Sequence, residues 1–525
     1  MMLGAYSPLT RVGGMGYFSG QRGLLLDCEP SLAMFLEPSL ALARNESQGG
    51  FIMRSVPSTS KGGNRGFQRI VDAFLGRDGL PFATVLSGER IRRVFAEHGN
   101  LFGMNTIYST TVVLWAFLAQ ALRDGKDASC QAAVAQIAVR RLQDGLTPPT
   151  ADTGDYCRAR AKLFEAALRQ ITVETADELE RQAAPAWLWK EKHAKLVDGF
   201  TFTMPDTPEN QAEYPQQRSQ KKGVGFPIAR ACVILSLATA CVMDLAIGSC
   251  SGKETGETAL LRQMLGSFEE GDVMVADRFY CSFMMIALLL LGGVDSCVRL
   301  HQSRHVDFRR GKRLGKYDHL IEWHKPQRPQ WMDEETYAAI PEKIVLREIR
   351  FNVVEKGRRV ETLTIVTTLL DPHEHSKEDI AQLYGFRWNS ELDIRSIKQT
   401  LGLDHVRCKS PEMVRKELWA ALLAYNLIRT TSAAAALLHG KQPRQISFAG
   451  TCQYVLATWM RFSADRAAGH DVRTYCETLL RHIASCEVAN RPGRIEPRVL
   501  KRRRHRYPLM QEPRAVLKAK LQNPK

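Results

Sequence analysis

One stretch narrows what this chain can build: Tyr384-Gly-Phe-Arg387-Trp-Asn-Ser-Glu391-Leu-Asp-Ile-Arg395-Ser-Ile-Lys398. It contains no proline, and Ile380, Leu383, Leu392 and Ile397 recur at spacings that suit a helix with one buried side. At about 100° per residue, Tyr384, Arg387, Glu391 and Lys398 fall within an arc of roughly 60°, and Arg395 lands beside it. One face is therefore expected to carry a single carboxylate among three cations and a phenol. Such a carboxylate suits a place where a phosphate chain and a metal ion meet. The same charges could equally form a salt-bridged solvent face.

The rest of the chain points towards a polyanion. Lys and Arg number 72 against 56 Asp and Glu, a formal net charge of +16, which favours nucleic acid as a partner. With 525 residues the chain is expected to form two or three domains. The longest apolar run, Phe283 to Leu291 and on to Val294, is too short to cross a bilayer and fits a buried helix, so no membrane association is expected. The first residues lack a charged start followed by an apolar core, and the expected compartment is the cytoplasm. The 12 cysteines contain no Cys-x-x-Cys and read as reduced core residues. His373 and His375 have no zinc-like company.

Residues 1–60 hold Gly, Ser and Pro clusters without sustained periodicity and read as a loose arm, with Met53 an alternative translation start. A helical region over 61–190 follows, with helices expected at Ile70–Leu75, Thr110–Leu122, Cys130–Leu142 and Asp155–Lys162. Its Arg90, Arg92, Arg93, Arg140, Arg141, Arg158, Arg160 and Lys162 could grip a duplex backbone or simply coat solvated faces. Over 191–300 the period turns strand-like: a strand at Leu196–Met204, a hairpin within Ile228–Ile247, a helix at Glu254–Ser267, a short strand ending at Asp277, an apolar helix at Cys281–Leu291 and a strand at Val294–Leu300. That order makes a mixed α/β core. Residues 301–372 are expected to form a β-rich insertion subdomain with strands near Lys343–Val354 and Thr362–Leu370, because a plain loop of that length would be unusual. The signature helix closes the core over 373–405, a helical region spans 406–490, and 491–525 is a basic tail.

Phosphodiester chemistry with two divalent ions needs a few carboxylates converging on metals roughly 4 Å apart. Asp198 in the first core strand, Asp277 at the end of the fourth and Glu391 on the later helix are such a set, with Asp206 and Glu209 as competing acids nearby. An RNase H-like sheet would bring the three together. Asp198-Gly-Phe-Thr-Phe-Thr-Met-Pro-Asp-Thr-Pro-Glu-Asn-Gln211, then Val275-Ala-Asp277-Arg278, then the Tyr, Arg, Glu and Lys of the signature helix resemble, in order, the blocks of DDE transposases. More narrowly they resemble bacterial transposases of the insertion-sequence-four family, over residues 65 to 510.

That resemblance implies an RNase H-like catalytic domain in which Asp198, Asp277 and Glu391 hold two Mg²⁺ or Mn²⁺ ions. It implies that Tyr384, Arg387 and Lys398, with Arg395 beside them, contact DNA. It further implies binding of terminal inverted repeats, cleavage by metal-activated water, attack of the freed 3′-hydroxyl on target DNA, and a homodimer on paired ends. Some relatives stabilise a hairpin intermediate with a Trp in the strand before the signature helix. Thr362-Leu-Thr-Ile-Val-Thr-Thr offers no aromatic there. Trp323 or Trp331 is then the substitute, unless both only pack.

Overall fold

The computed structural model of the chain describes residues 25–26, 86–143, 145–354, 361–461, 472–488 and 509–522. The alternating stretch from residue 194 sends its side chains to two sides. Leu196, Phe200 and Phe202 enter one apolar cluster and Val197 another. This strand, β1 (Ala194–Thr203), pairs antiparallel with β2 (Ile228–Ser236), which turns back into β3 (Val242–Ser249). On its other edge β1 pairs in parallel with β4 (Val273–Ala276), and β4 in parallel with β5 (Asp295–Arg299). Parallel neighbours need crossovers. The helices Glu257–Arg262 and Phe283–Leu291 supply them. Three antiparallel strands continued by two parallel ones form an RNase H-like mixed sheet.

The sheet does not stop there. Strands β6 (Lys312–Gly315), β7 (Asp318–His324), β8 (Lys343–Val354) and β9 (Glu361–Thr367) continue it through an antiparallel pairing of β9 with β5. The order is β3-β2-β1-β4-β5-β9-β8-β7-β6, with Leu25–Leu26 paired to β8. The strands of 301–372, expected as an insertion subdomain, thus extend the core sheet. The buried Arg347 on β8 ties them down, bonding Asp318 at 2.9 and 2.6 Å and the His375 carbonyl at 2.6 Å.

Helices cover both faces, which is why Val273-Met-Val-Ala is apolar on successive residues. The helix Pro411–Leu438 packs against Glu165–Arg181 and Thr110–Ala121. Buried Asn426 sews it in: its amide bonds the carbonyls of Thr172 and Val242, and its oxygen accepts from Val242 N at 2.9 Å. By length and composition Pro411–Leu438 could cross a membrane, but 83% of its apolar window is buried in the fold, as in a core helix.

Two helices differ from expectation. The one expected over Glu254–Ser267 is Glu257–Arg262 followed by a 3-10 turn at Leu265–Ser267, because Gly252 and Glu254 take left-handed φ values of 130° and 55°. The signature stretch is not one continuous helix. It divides into Lys377–Gly385 and Trp388–Arg395, followed by a π turn at Ser396–Thr400. Each break changes the rotation per residue, so the single stripe of charged side chains is not kept. The Ile70–Leu75 helix, Arg491–Arg494 and Lys501–Arg506 lie outside the described residues, as does nearly all of the 1–60 arm.

Candidate active site

β1 outruns its parallel neighbour. Their pairing ends at Val197 opposite Ala276, so the next residues on each, Asp198 and Asp277, stand side by side at an open edge. Asp277 then caps a short 3-10 turn, its Oδ1 accepting from Arg278 N at 2.5 Å. The helix Trp388–Arg395 lies over the Asp198 side of β1. There Ser390 Oγ donates to Asp198 Oδ2 at 2.8 Å, and Arg387 Nη2 donates to Glu391 Oε1 at 2.9 Å while its Nη1 lies 3.8 Å from Asp198 Oδ2. The end of the β1–β4 pairing thus brings Asp198 beside Asp277, and one guanidinium links Asp198 to Glu391.

Burial is the main force on Asp198 and pushes its carboxyl above the ordinary 3.8; Ser390, Arg387 and Gly199 N pull the other way, and the Asp277 charge adds to the rise. Burial pulls on the Arg387 cation too, but Tyr384, Glu391 and Asp198 outweigh it and raise its value. A fourth acid, Glu257, faces the same centre. Burial first, then the Asp198 charge, raises it, with Asp277 adding further. The sequence reading missed Glu257 because nothing in its local spacing betrays a contact with β1.

The helix carrying Glu391 is anchored from beneath. Asp393, buried, accepts from Arg429 Nη2 and Arg444 Nη1, each at 2.8 Å. Arg444 also donates to the carbonyls of Ser236 and Leu237 at the β2–β3 turn, both at 2.6 Å. One aspartate therefore fixes the helix to the C-terminal region and to the sheet.

The expected DNA-contact residues are placed unequally. Tyr384 is only 7% exposed and belongs to the main core, where burial raises its phenol; an exposed phosphate clamp is not what its ring offers. Arg387 and Arg395 are half-buried. Lys398 Nζ donates to the Thr201 carbonyl at 2.9 Å, and burial lowers its ammonium value. In the N-terminal helices, Arg90 pairs with Glu178, Arg93 with Glu97 and Glu174, and Arg158 with Asp155. Arg160 stacks near Phe117 and Tyr156. These charges serve the fold first. Trp323 is buried with Nε1 on Glu348 and Arg304 over its ring, and Trp331 lies under Arg262. Both pack.

Among the described residues, no three His, Cys, Asp or Glu side chains stand close enough, as placed, to hold a metal ion. The donor set is nonetheless right for a hard cation: carboxylates on a strand, just past the end of its neighbour and on a helix, partly exposed, with water able to complete the shell. What spans the gap between Asp198 and Glu391 is the Arg387 guanidinium.

The sheet sets one acid on a strand, a second just past the end of its parallel neighbour and a third on the helix laid over them, and residues 189–427 match the family model described as "Transposase DDE domain". Over most of its length the chain is similar to transposases of insertion sequences. It is 28% identical over 435 residues to the transposase InsG for insertion sequence element IS4 of Escherichia coli (strain K12), covering 81% of this chain and 92% of that protein. It is 35% identical over 97 residues to the putative transposase InsL for insertion sequence element IS186A of the same organism, covering 17% and 26%. Among solved structures, a piggyBac transposase synaptic complex with hairpin DNA aligns with a TM-score of 0.38 and 9% identity over 79% of this chain and 85% of that one.

Proposed function

We propose that this transposase binds the terminal inverted repeats of its insertion sequence, cleaves the ends by metal-dependent phosphodiester hydrolysis and joins the freed 3′-hydroxyls to target DNA. The observation that carries the reading is the bridge of Arg387 between Asp198 and Glu391, beside Asp277 on the neighbouring strand. Asp198, Asp277 and Glu391 would hold two Mg²⁺ or Mn²⁺ ions, which when bound supply an activated oxygen nucleophile and charge neutralisation at the leaving oxygen. Ser390 orients Asp198 through its hydrogen bond, and Asp393 keeps the Glu391 helix at its distance from β1. Arg387 would turn from the carboxylates to a DNA phosphate, trading one charge-assisted contact for another. Arg395 at the end of that helix and Lys398 in the π turn beyond it would add further contacts to the DNA backbone. Two copies would work together in the cytoplasm, one on each end of the element.

The test is Mg²⁺-dependent nicking of a supercoiled plasmid carrying the element's ends, followed by recovery of joined products. Cutting with joining supports the proposal. Cutting without joining reduces the chain to a nuclease, and end binding without either reduces it to a DNA-binding scaffold.

A further inference from the structure

Gly199 follows Asp198 in the middle of β1 and pairs with Cys232. Glycine weakens a strand interior, and where it persists something has come close to the backbone. Here that something is a carboxylate. A methyl group built on the Gly199 Cα would sit 2.2 Å from Glu257 Cδ and 2.5 Å from Glu257 Oε1. No side chain fits at 199 while Glu257 keeps its place.

The position follows from alternation. Asp198 shares the side of Leu196 and Phe200, while Gly199 shares that of Val197 and meets the helix that Glu257 begins. Asp198 and Glu257 therefore flank one strand from opposite sides, at the edge β4 has vacated and next to Asp277. The Arg230 charge favours the ionised form of Glu257, but burial and the neighbouring Asp198 and Asp277 outweigh it. Tyr280 donates to its Oε2 at a long 3.4 Å, and among the described residues no ion pair engages it. A half-buried anion beside two others is costly unless a cation joins it.

We propose that Glu257 is a fourth carboxylate of the metal centre, reaching it from the side of β1 opposite Asp198. The assignment rests on the metal-dependent activity proposed above; similarity to the transposase DDE domain points to that centre, and Gly199 records the approach of the extra acid. Gly199 acts as a positioning residue through what it lacks.

Mn²⁺ titration calorimetry on the full chain without DNA tests this. Glu257→Gln preserves shape and the Tyr280 contact, and is expected to weaken Mn²⁺ binding on the order of tenfold while leaving metal-free thermal unfolding no lower than wild type. Gly199→Ala, which displaces the carboxylate but keeps its charge, should reproduce the loss, and the double variant should be no worse than either single one. The nicking defect of Glu257→Gln should shrink as Mn²⁺ is raised. Wild-type Mn²⁺ affinity in Glu257→Gln, or a Gly199→Ala loss that adds fully to it, overturns the assignment. If wild type and Asp198→Asn titrate identically, the metal centre itself is wrong, which is a distinguishable failure.

Discussion

Arg387 and Glu391, one helical turn apart, share a hydrogen bond of 2.9 Å, and the far nitrogen of the same guanidinium lies 3.8 Å from Asp198. The cation thus reports how near two of the acids lie. Glu391→Ala should remove a metal ligand without removing a DNA contact. Nicking is expected to fall at least about a thousandfold, as for loss of other essential catalytic groups, while end binding in a gel shift stays near wild type. Equal loss of both would mean that Glu391 only holds Arg387.

Lys398 reaches the Thr201 carbonyl in this structure, a contact it must give up to meet a phosphate. Lys398→Ala should weaken end binding and make the log–log salt dependence shallower by about 0.9, with little effect on urea unfolding. An unchanged salt slope would assign Lys398 to holding β1 instead.

Asp393 lies between two arginines, and its side chain is 2% exposed. Removing it leaves both cations inside the protein without their partner, a change that typically costs about 3–5 kcal/mol. Asp393→Ala should therefore lower the denaturation midpoint sharply, and in the surviving folded fraction should slow nicking more than it weakens end binding. A stability loss well under 1 kcal/mol would show that the network is dispensable.

The pH dependence has a definite sign. Asp198 and Glu257 both sit above their ordinary 3.8 and 4.5, each raised first by burial. Between the ordinary and the raised values the folded chain holds more protons than the unfolded one, so stability falls as pH rises through that window. The penalty is complete at neutral pH and gone below the ordinary carboxylate range. In EDTA, the Asp198→Asn/Glu257→Gln variant should melt above wild type at neutral pH, with the gap closing as pH falls towards 4.5. A gap that widens on acidification would contradict the sign.

Much of this centre was legible because its parts are local. β1 was readable from two-residue alternation, and β4 from a short apolar run ending in an acid. Arg387 and Glu391 are neighbours on any helix. What escaped depends on contacts between distant stretches. Glu257 matters through Gly199, which alone reads as a turn residue. Asp393 matters through Arg429 and Arg444. β6 and β7 arise in a polar, basic stretch because β8 offers a backbone edge to pair with, a feature that hydrophobic patterning cannot carry. The signature stretch misled for a different reason: a uniform helical period was assumed where a turn at Phe386 and Arg387 and then a π turn interrupt it.

The hold that Arg444 keeps on both Asp393 and the β2–β3 turn sets an order on assembly. During synthesis all three acids leave the ribosome well before the arginine that seats the last of them. A nascent or prematurely terminated chain ending short of residue 444 would carry all three acids, yet the helix bearing Glu391 would lack its tie to the β2–β3 turn.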